Sequence, residues 1–69
     1  MNVEQAMKRL GSNVKKRRLK RGLTQEQMMD FGFNYRYFQK IEGGQVNATL
    51  ELLVRLARAL KCDLEDLLK

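Results

Sequence analysis

The sequence contains no histidine, no proline and no tryptophan, and its one cysteine is Cys62. A chain without histidine and with a single thiol cannot form an intramolecular disulfide, the usual zinc sites or a histidine-based catalytic centre. The sequence also lacks clustered carboxylates, a nucleophile–base pair and a glycine-rich phosphate loop. We therefore expect no enzymatic activity, no cofactor and no metal.

Long apolar runs are missing as well. No stretch approaches the roughly 18 apolar residues that a membrane-spanning helix needs, and no signal sequence is recognisable. The expected location is cytoplasmic, with no membrane partner. At 69 residues, of which 43% are hydrophobic, residues 1–69 are expected to form one small domain around a single core.

Strand signals are also absent, since there is no sustained alternation of apolar and polar residues and no hairpin dipeptide. Four apolar residues near the N-terminus instead recur at helical spacing, namely Val3, Met7, Leu10 and Val14. They predict a first helix that runs to about Arg21 and stops at Gly22. Because Gly11 weakens its middle by roughly 1 kcal/mol relative to alanine, residues 1–9 are either a separate short helix or a frayed extension.

Positive charge is concentrated in the first 50 residues. The net charge is +6, and eight Lys or Arg residues with no acidic residue lie between Lys8 and Gly22. Such a field suits nucleic acid or an anionic membrane surface. A solvated helix face with no partner is an equally good interpretation of this segment alone.

Two short helices are predicted in the middle of the chain. Thr24 and Gln27 have the spacing of a capping box, so a second helix starts there and ends near Phe31, before Gly32. A third helix over 35–42 is capped by Asn34 and stopped by a glycine pair. On a helical wheel its apolar side carries Tyr37, Phe38 and Ile41, and its polar, cationic side carries Arg36, Gln39, Lys40 and Gly43. One side can pack on a core while the other faces an acidic partner.

The C-terminal third predicts two more helices. Thr49 can cap a fourth helix, whose apolar stripe consists of Leu50, Leu53, Val54, Ala57 and Leu60. Leu52 and Ala59 lie off that stripe, so Leu52 is either a scattered surface residue or part of a subunit contact. Asp63 can cap a fifth helix that carries Leu64, Leu67 and Leu68.

Two short helices joined by a glycine-containing turn, with a cationic second helix, are typical of the helix-turn-helix that binds the DNA major groove. From Leu10 to Leu68 the chain resembles the lambda-repressor-like, Xre-type helix-turn-helix DNA-binding proteins. The residues that carry the resemblance are Leu10, Gly11, Val14, Arg18, Gly22, Leu23, Thr24, Gln25, Gly32, Asn34, Ile41, Glu42, Gly44, Asn47, Thr49, Leu50, Leu53, Leu56, Ala57, Leu60 and Leu67. The resemblance implies a compact all-α, five-helix fold with the helix-turn-helix at the second and third helices.

Residue roles follow in part from this resemblance, which implies that Arg18 pairs with Glu42 and that Gln25 touches a DNA phosphate. The residues expected to read base edges are Tyr35, Arg36, Gln39 and Lys40. The residues expected to contact phosphates are Gln25, Lys15, Lys16, Arg17, Asn34 and Gln45. Arg36 is the first choice for base readout, because its planar fork can bond guanine O6 and N7 together.

The chain departs from the family pattern at the turn. The family usually has one more residue between the capping Thr24 and the turn glycine, and it has a small residue where this chain places Met29 against the third helix. Phe31 and Phe33 are expected to fill the space that the shorter second helix leaves open.

These features predict a sequence-specific, double-stranded DNA-binding transcription regulator. Since one helix reads only a few base pairs, a homodimer on a palindromic operator is expected. The residues expected at its interface are Leu52, Cys62, Leu64 and Leu68. The alternative is an antitoxin or accessory module whose main role is to bind a protein partner, with DNA binding secondary.

Overall fold

Five helical segments and no strand make up the computed structural model, which describes residues 1–69. They are α1 (Val3–Lys20), a 3₁₀ helix (Glu26–Phe31), α2 (Tyr35–Glu42), α3 (Leu50–Leu60) and α4 (Leu64–Leu68). The all-α prediction is confirmed, and so is the placement of all five segments.

Helix α1 is continuous over Val3–Lys20, so residues 3–9 extend the first helix and the alternative of a separate short helix is wrong. Asn2 and Gln5 form a reciprocal capping box at its start, with amide-to-side-chain distances of 2.8 and 3.1 Å. Gly11 is buried where α1 crosses the end of α2. A methyl group added to Gly11 would lie 2.5 Å from the Ile41 carbonyl oxygen and 2.7 Å from that of Glu42. The glycine therefore permits a close helix crossing and does not interrupt α1.

The second predicted helix starts as expected but is a 3₁₀ helix, not an α-helix. The Thr24 amide donates to Gln27 Oε1 (2.8 Å), and the Gln27 amide donates to Thr24 Oγ1 (3.1 Å). The segment ends at Gly32, whose φ of +89° lies in the left-handed region that glycine adopts without strain. Short 3₁₀ helices are common as connectors, and this one spans only six residues.

The turn packs differently from the prediction. Met28 is fully buried, whereas Met29, which was expected to face the third helix, is 53% exposed. Phe33 is buried with its ring centroid 5.8 Å from that of Phe38, but Phe31 is largely exposed. Met28 and Phe33 thus fill the core side of the turn, and Phe31 does not.

Helix α3 buries three residues of the predicted stripe, Leu53, Ala57 and Leu60, but not the other two. Leu52 and Ala59 are each 6% exposed, whereas Leu50 and Val54 lie at the surface. Eight of the eleven residues of α3 are apolar, so the sequence alone is compatible with more than one buried stripe. The packing of both α1 and α4 against α3 determines which one is buried.

Helix α4 is held against α1 by one buried side chain and two polar contacts. Leu67 is fully buried, and the Asn13 side-chain amide donates to the Leu67 carbonyl at 3.0 Å. An Arg17 guanidinium nitrogen lies 3.2 Å from Asp66 Oδ1, and the Asp63 amide donates to Asp66 Oδ2 at 3.0 Å. Asp66 thus links the start of α4 to the last turn of α1.

Asp66 should make the stability of the fold depend on pH. The hydrogen bond from the Asp63 amide, with the bond from Lys69 next, lowers the pKa of Asp66 below its ordinary value. A carboxyl with a lowered folded-state pKa contributes stability above its unfolded pKa of about 3.9, and this contribution is lost as the pH falls through the folded pKa. We expect Asp66→Asn to unfold at lower urea concentration than the parent protein at pH 7, with the two curves converging in acid. Glu65→Gln removes the same charge from an exposed side chain, so its urea midpoint should stay close to that of the parent protein at every pH. If the difference in urea midpoint between Asp66→Asn and the parent protein did not change with pH, this role of Asp66 would be contradicted.

Candidate nucleic-acid interface

Helix α2 separates a buried side from an exposed cationic side. Phe38 and Ile41 are buried in the core, while Arg36, Gln39 and Lys40 are exposed. The exposed three line one open depression together with Gln45, and no apolar side chain lines it. No carboxylate lies within 4 Å of Arg36 or Lys40. Both cations are therefore available to an anionic ligand.

The two tyrosines of α2 lie at the edges of this exposed side. Tyr35 is half-buried and lines a neighbouring depression with Thr24 and Gln25, at the start of the 3₁₀ helix. Gln25 bonds to Gln39, so this depression adjoins the exposed cationic side of α2. Tyr37, expected on the apolar side, is largely exposed on the flank of α2.

An ion pair fixes the end of α2 to α1. Arg18 Nε donates to Glu42 Oε2 at 2.7 Å, and Arg18 Nη2 donates to Glu42 Oε1 at 3.1 Å. The two side chains are only 8% and 4% exposed. Arg18 Nη1 also donates to the Leu23 carbonyl at 2.7 Å. The pair that the resemblance implied therefore joins α1, the segment before the 3₁₀ helix, and α2.

Gln25 has a positioning role that the sequence reasoning missed. Its side-chain Nε2 donates to Glu42 Oε1 at 2.9 Å, and its Oε1 accepts from Gln39 Nε2 at 3.4 Å. Both ends of the amide are engaged within the protein, although Gln25 was expected to touch a phosphate. The sequence offered no signal for this, because the partners are 14 and 17 residues away.

The basic residues predicted on α1 point in different directions. At 100° per residue, Lys15 lies about 40° from Gly11, which contacts α2, whereas Lys16 lies about 140° away. Arg17 is engaged by Asp66. On this wheel, Lys15 is the one of these three expected phosphate contacts that lies on the side of α1 next to α2.

The remaining expected phosphate contacts lie at the two ends of α2. Asn34 accepts a hydrogen bond from the Tyr37 amide at 3.0 Å as the N-cap of α2, and its side-chain amide nitrogen has no partner in the chain. Gln45 follows the C-terminal end and lines the Arg36 and Lys40 depression. Lys8, which was not singled out, lies against the same end, since Gly44 (φ +75°) packs on its backbone.

The four residues expected at a subunit interface are not equally accessible. Leu52 is buried in the core of the chain, Cys62 and Leu64 are half-buried, and Leu68 is exposed. Burial, as the largest cause, raises the pKa of the Cys62 thiol, so the thiol stays protonated at neutral pH.

These elements form a helix-turn-helix: a short helix, a glycine turn and a second helix with one side buried in the core and a cationic side exposed. A family model described as helix-turn-helix matches residues 14–67. The chain belongs to this family, the lambda-repressor-like (Xre-type) helix-turn-helix proteins, and its fold is the one that the sequence predicted. It is a DNA-binding helix-turn-helix protein. No curated protein matches the chain, and none of its helices combines the length and apolar character required to span a membrane.

Proposed function

We propose that the protein is a sequence-specific transcription regulator that reads the major groove of double-stranded DNA with α2, and that residues 1–69 act as one DNA-binding domain. The observation that carries the proposal is the exposed pair of unpaired cations, Arg36 and Lys40, on a helix whose opposite side is buried. The major groove is about 12 Å wide and accommodates one α-helix.

Three side chains of α2 are suited to base readout. Arg36 can donate two hydrogen bonds to guanine, and Gln39 can form the corresponding pair with adenine. The Gln39 side-chain nitrogen donates a hydrogen bond to Gln25 Oε1, which restricts the directions in which Gln39 can point. Lys40 lies one turn after Arg36 and reaches either a base edge or a phosphate. Asn34 and Gln45 flank these residues and would contact the adjacent backbone, while Tyr35 at the start of α2 would touch a thymine methyl group or a phosphate.

Arg36 and Lys15 provide a matched pair of substitutions for testing this division of roles. We expect Arg36→Ala to cost roughly 1–3 kcal/mol of discrimination at one base position. Lys15→Ala, which also removes one positive charge, should weaken binding to all sequences alike. It should also make the slope of the logarithm of the binding constant against the logarithm of the salt concentration shallower by about one. Fluorescence anisotropy with an operator and its single-base variants, at several salt concentrations, measures both effects. Equal and sequence-independent losses from the two variants would refute base readout by Arg36.

We also propose that the protein binds a palindromic operator as a homodimer. Helix α2 has eight residues and is about 12 Å long, so one copy covers only a few base pairs. Two copies related by a two-fold axis would read half-sites roughly 34 Å apart, or a multiple of that distance. Leu68 is the most exposed of the four expected interface residues, with Cys62 and Leu64 beside it in the chain, while Leu52 is buried and offers little surface.

A further inference from the structure

A second cationic surface surrounds Phe31, whose side chain is 42% exposed. The Arg21 guanidinium lies 5.8 Å from the centre of the Phe31 ring. Arg55 and Arg58 of α3 line one depression together with Phe31. We call these four residues the Phe31 cluster. It joins the end of α1, the end of the 3₁₀ helix and the outer side of α3.

Two arginines of the Phe31 cluster are held in place by the fold. Arg21 donates a hydrogen bond to the Ala59 carbonyl. Arg55 donates to the Gly32 carbonyl at 3.1 Å, and its guanidinium lies 4.8 Å from the centre of the Phe33 ring. Ordered side chains lose less conformational entropy when a ligand binds. The cluster is therefore partly preorganised.

The positive charge of the Phe31 cluster is not neutralised within the chain. The acidic residues that form ion pairs are Glu4, Glu42 and Asp66, and none of them pairs with Arg21, Arg55 or Arg58. The Arg21 guanidinium thus lies over the exposed Phe31 ring, and Arg55 and Arg58 line the depression beside it, all three without a carboxylate within 4 Å.

The Phe31 cluster is separate from the proposed base-reading side of α2. Gln25, just before the 3₁₀ helix, bonds to Gln39 of α2, whereas Phe31 is the last residue of that helix. Six residues at about 2.0 Å each place the two roughly 12 Å apart. The other cluster residues, Arg55 and Arg58, lie on α3, so DNA bound along α2 would leave the Phe31 cluster accessible to a second partner.

We propose that the Phe31 cluster binds an acidic segment of a partner protein, with carboxylates on the arginines and an apolar side chain against Phe31. Guanidinium groups bind carboxylates through paired hydrogen bonds, and arginine and aromatic residues are enriched at protein interfaces. A nucleic-acid backbone instead calls for cations spread along a groove. Here Arg55 and Arg58 line one small depression beside the Phe31 ring, and Arg21 lies over that ring; this compact arrangement favours a peptide.

The test uses the full chain with a fluorescein-labelled peptide of alternating glutamate and leucine as the probe. We expect the backbone amide signals of the four cluster residues to shift most in ¹H–¹⁵N spectra. Arg58→Ala and Phe31→Ser should each weaken binding by about fivefold. The Arg58 side chain forms no hydrogen bond within the chain, so its replacement should leave the melting temperature unchanged. Lys16→Ala removes the same charge far from the cluster and should change the affinity by less than about twofold.

Four results would overturn the proposal. Absence of binding at millimolar peptide would do so directly. Equal losses from Arg58→Ala and Lys16→Ala would mean that the peptide only senses the net charge of +6. Equal binding of a serine–leucine peptide would mean that the carboxylates are not recognised. Displacement of the peptide by double-stranded DNA, with shifts at the same four residues, would assign the surface to nucleic acid.

Discussion

Replacing Gly11 by alanine should lower the free energy of unfolding by about 2–3 kcal/mol, in the range seen for overpacked cores. The added methyl group would meet the backbone oxygens of Ile41 and Glu42 at 2.5 and 2.7 Å. Backbone atoms of a packed helix cannot rotate away as a flexible side chain can. Helices α1 and α2 would have to separate, which would also disturb the Arg18–Glu42 pair. For a domain of this size the melting temperature should fall by more than about 10 °C.

Helix propensity alone predicts the opposite sign for Gly11→Ala. Alanine in place of glycine in a helix interior stabilises an unconstrained helix by roughly 1 kcal/mol. Ser12→Ala is the control for the effect of an alanine in this part of α1 away from the helix crossing, because Ser12 is the next residue of α1 and is exposed. We expect Ser12→Ala to be nearly neutral in thermal unfolding followed by circular dichroism. A melting temperature of Gly11→Ala at or above that of the parent protein would show that the helices do not cross as closely as described.

Arg18→Ala should be about as destabilising, at roughly 3 kcal/mol or more. The substitution removes two hydrogen bonds to Glu42 and one to the Leu23 carbonyl. The Glu42 side chain, 4% exposed, would retain only the bond from Gln25. An almost unpaired carboxylate would then remain in a poorly solvated position, and this accounts for most of the cost. Urea unfolding at pH 7 measures the effect.

A double variant separates the loss of the charge partner from the loss of packing. Arg18→Met together with Glu42→Met removes both charges and keeps much of the side-chain volume. Since buried ion pairs can often be exchanged for apolar residues at little cost, the double variant should recover most of the lost stability. An unchanged urea midpoint for Arg18→Ala would contradict the structural role of the pair. A double variant as unstable as Arg18→Ala would show that packing of the arginine, not its charge, is what the fold needs.

Much of the fold could be predicted because it depends on residues three or four positions apart. The caps at Thr24, Asn34 and Thr49 bond to amides three residues later. The two-sided character of α2 was also readable, because apolar and cationic residues are cleanly separated on its wheel. These local signals place the helices and identify the exposed side of α2.

Several features that the sequence did not predict are contacts between residues that are distant in sequence. Gly11 was interpreted from helix propensity, but its role depends on backbone atoms 30 residues away. The buried face of α3 could not be chosen, because Leu52 and Leu50 are equally apolar and the neighbouring helices decide between them. The contact of Gln25 with DNA stays a prediction, and the sequence did not indicate that Glu42 and Gln39 also bond its side chain. The Phe31 cluster is likewise assembled from three separate segments, so no motif in the sequence indicates it.

The most direct test of base readout by α2 is selection of bound duplexes from a random pool, with the parent protein and with Arg36→Ala. The parent protein should yield a two-fold symmetric consensus with half-sites roughly one helical turn, about 34 Å, apart or a multiple of it. Arg36→Ala should yield the same consensus with one position in each half-site relaxed. An unchanged consensus with Arg36→Ala, or no consensus with the parent protein, would contradict base reading by α2.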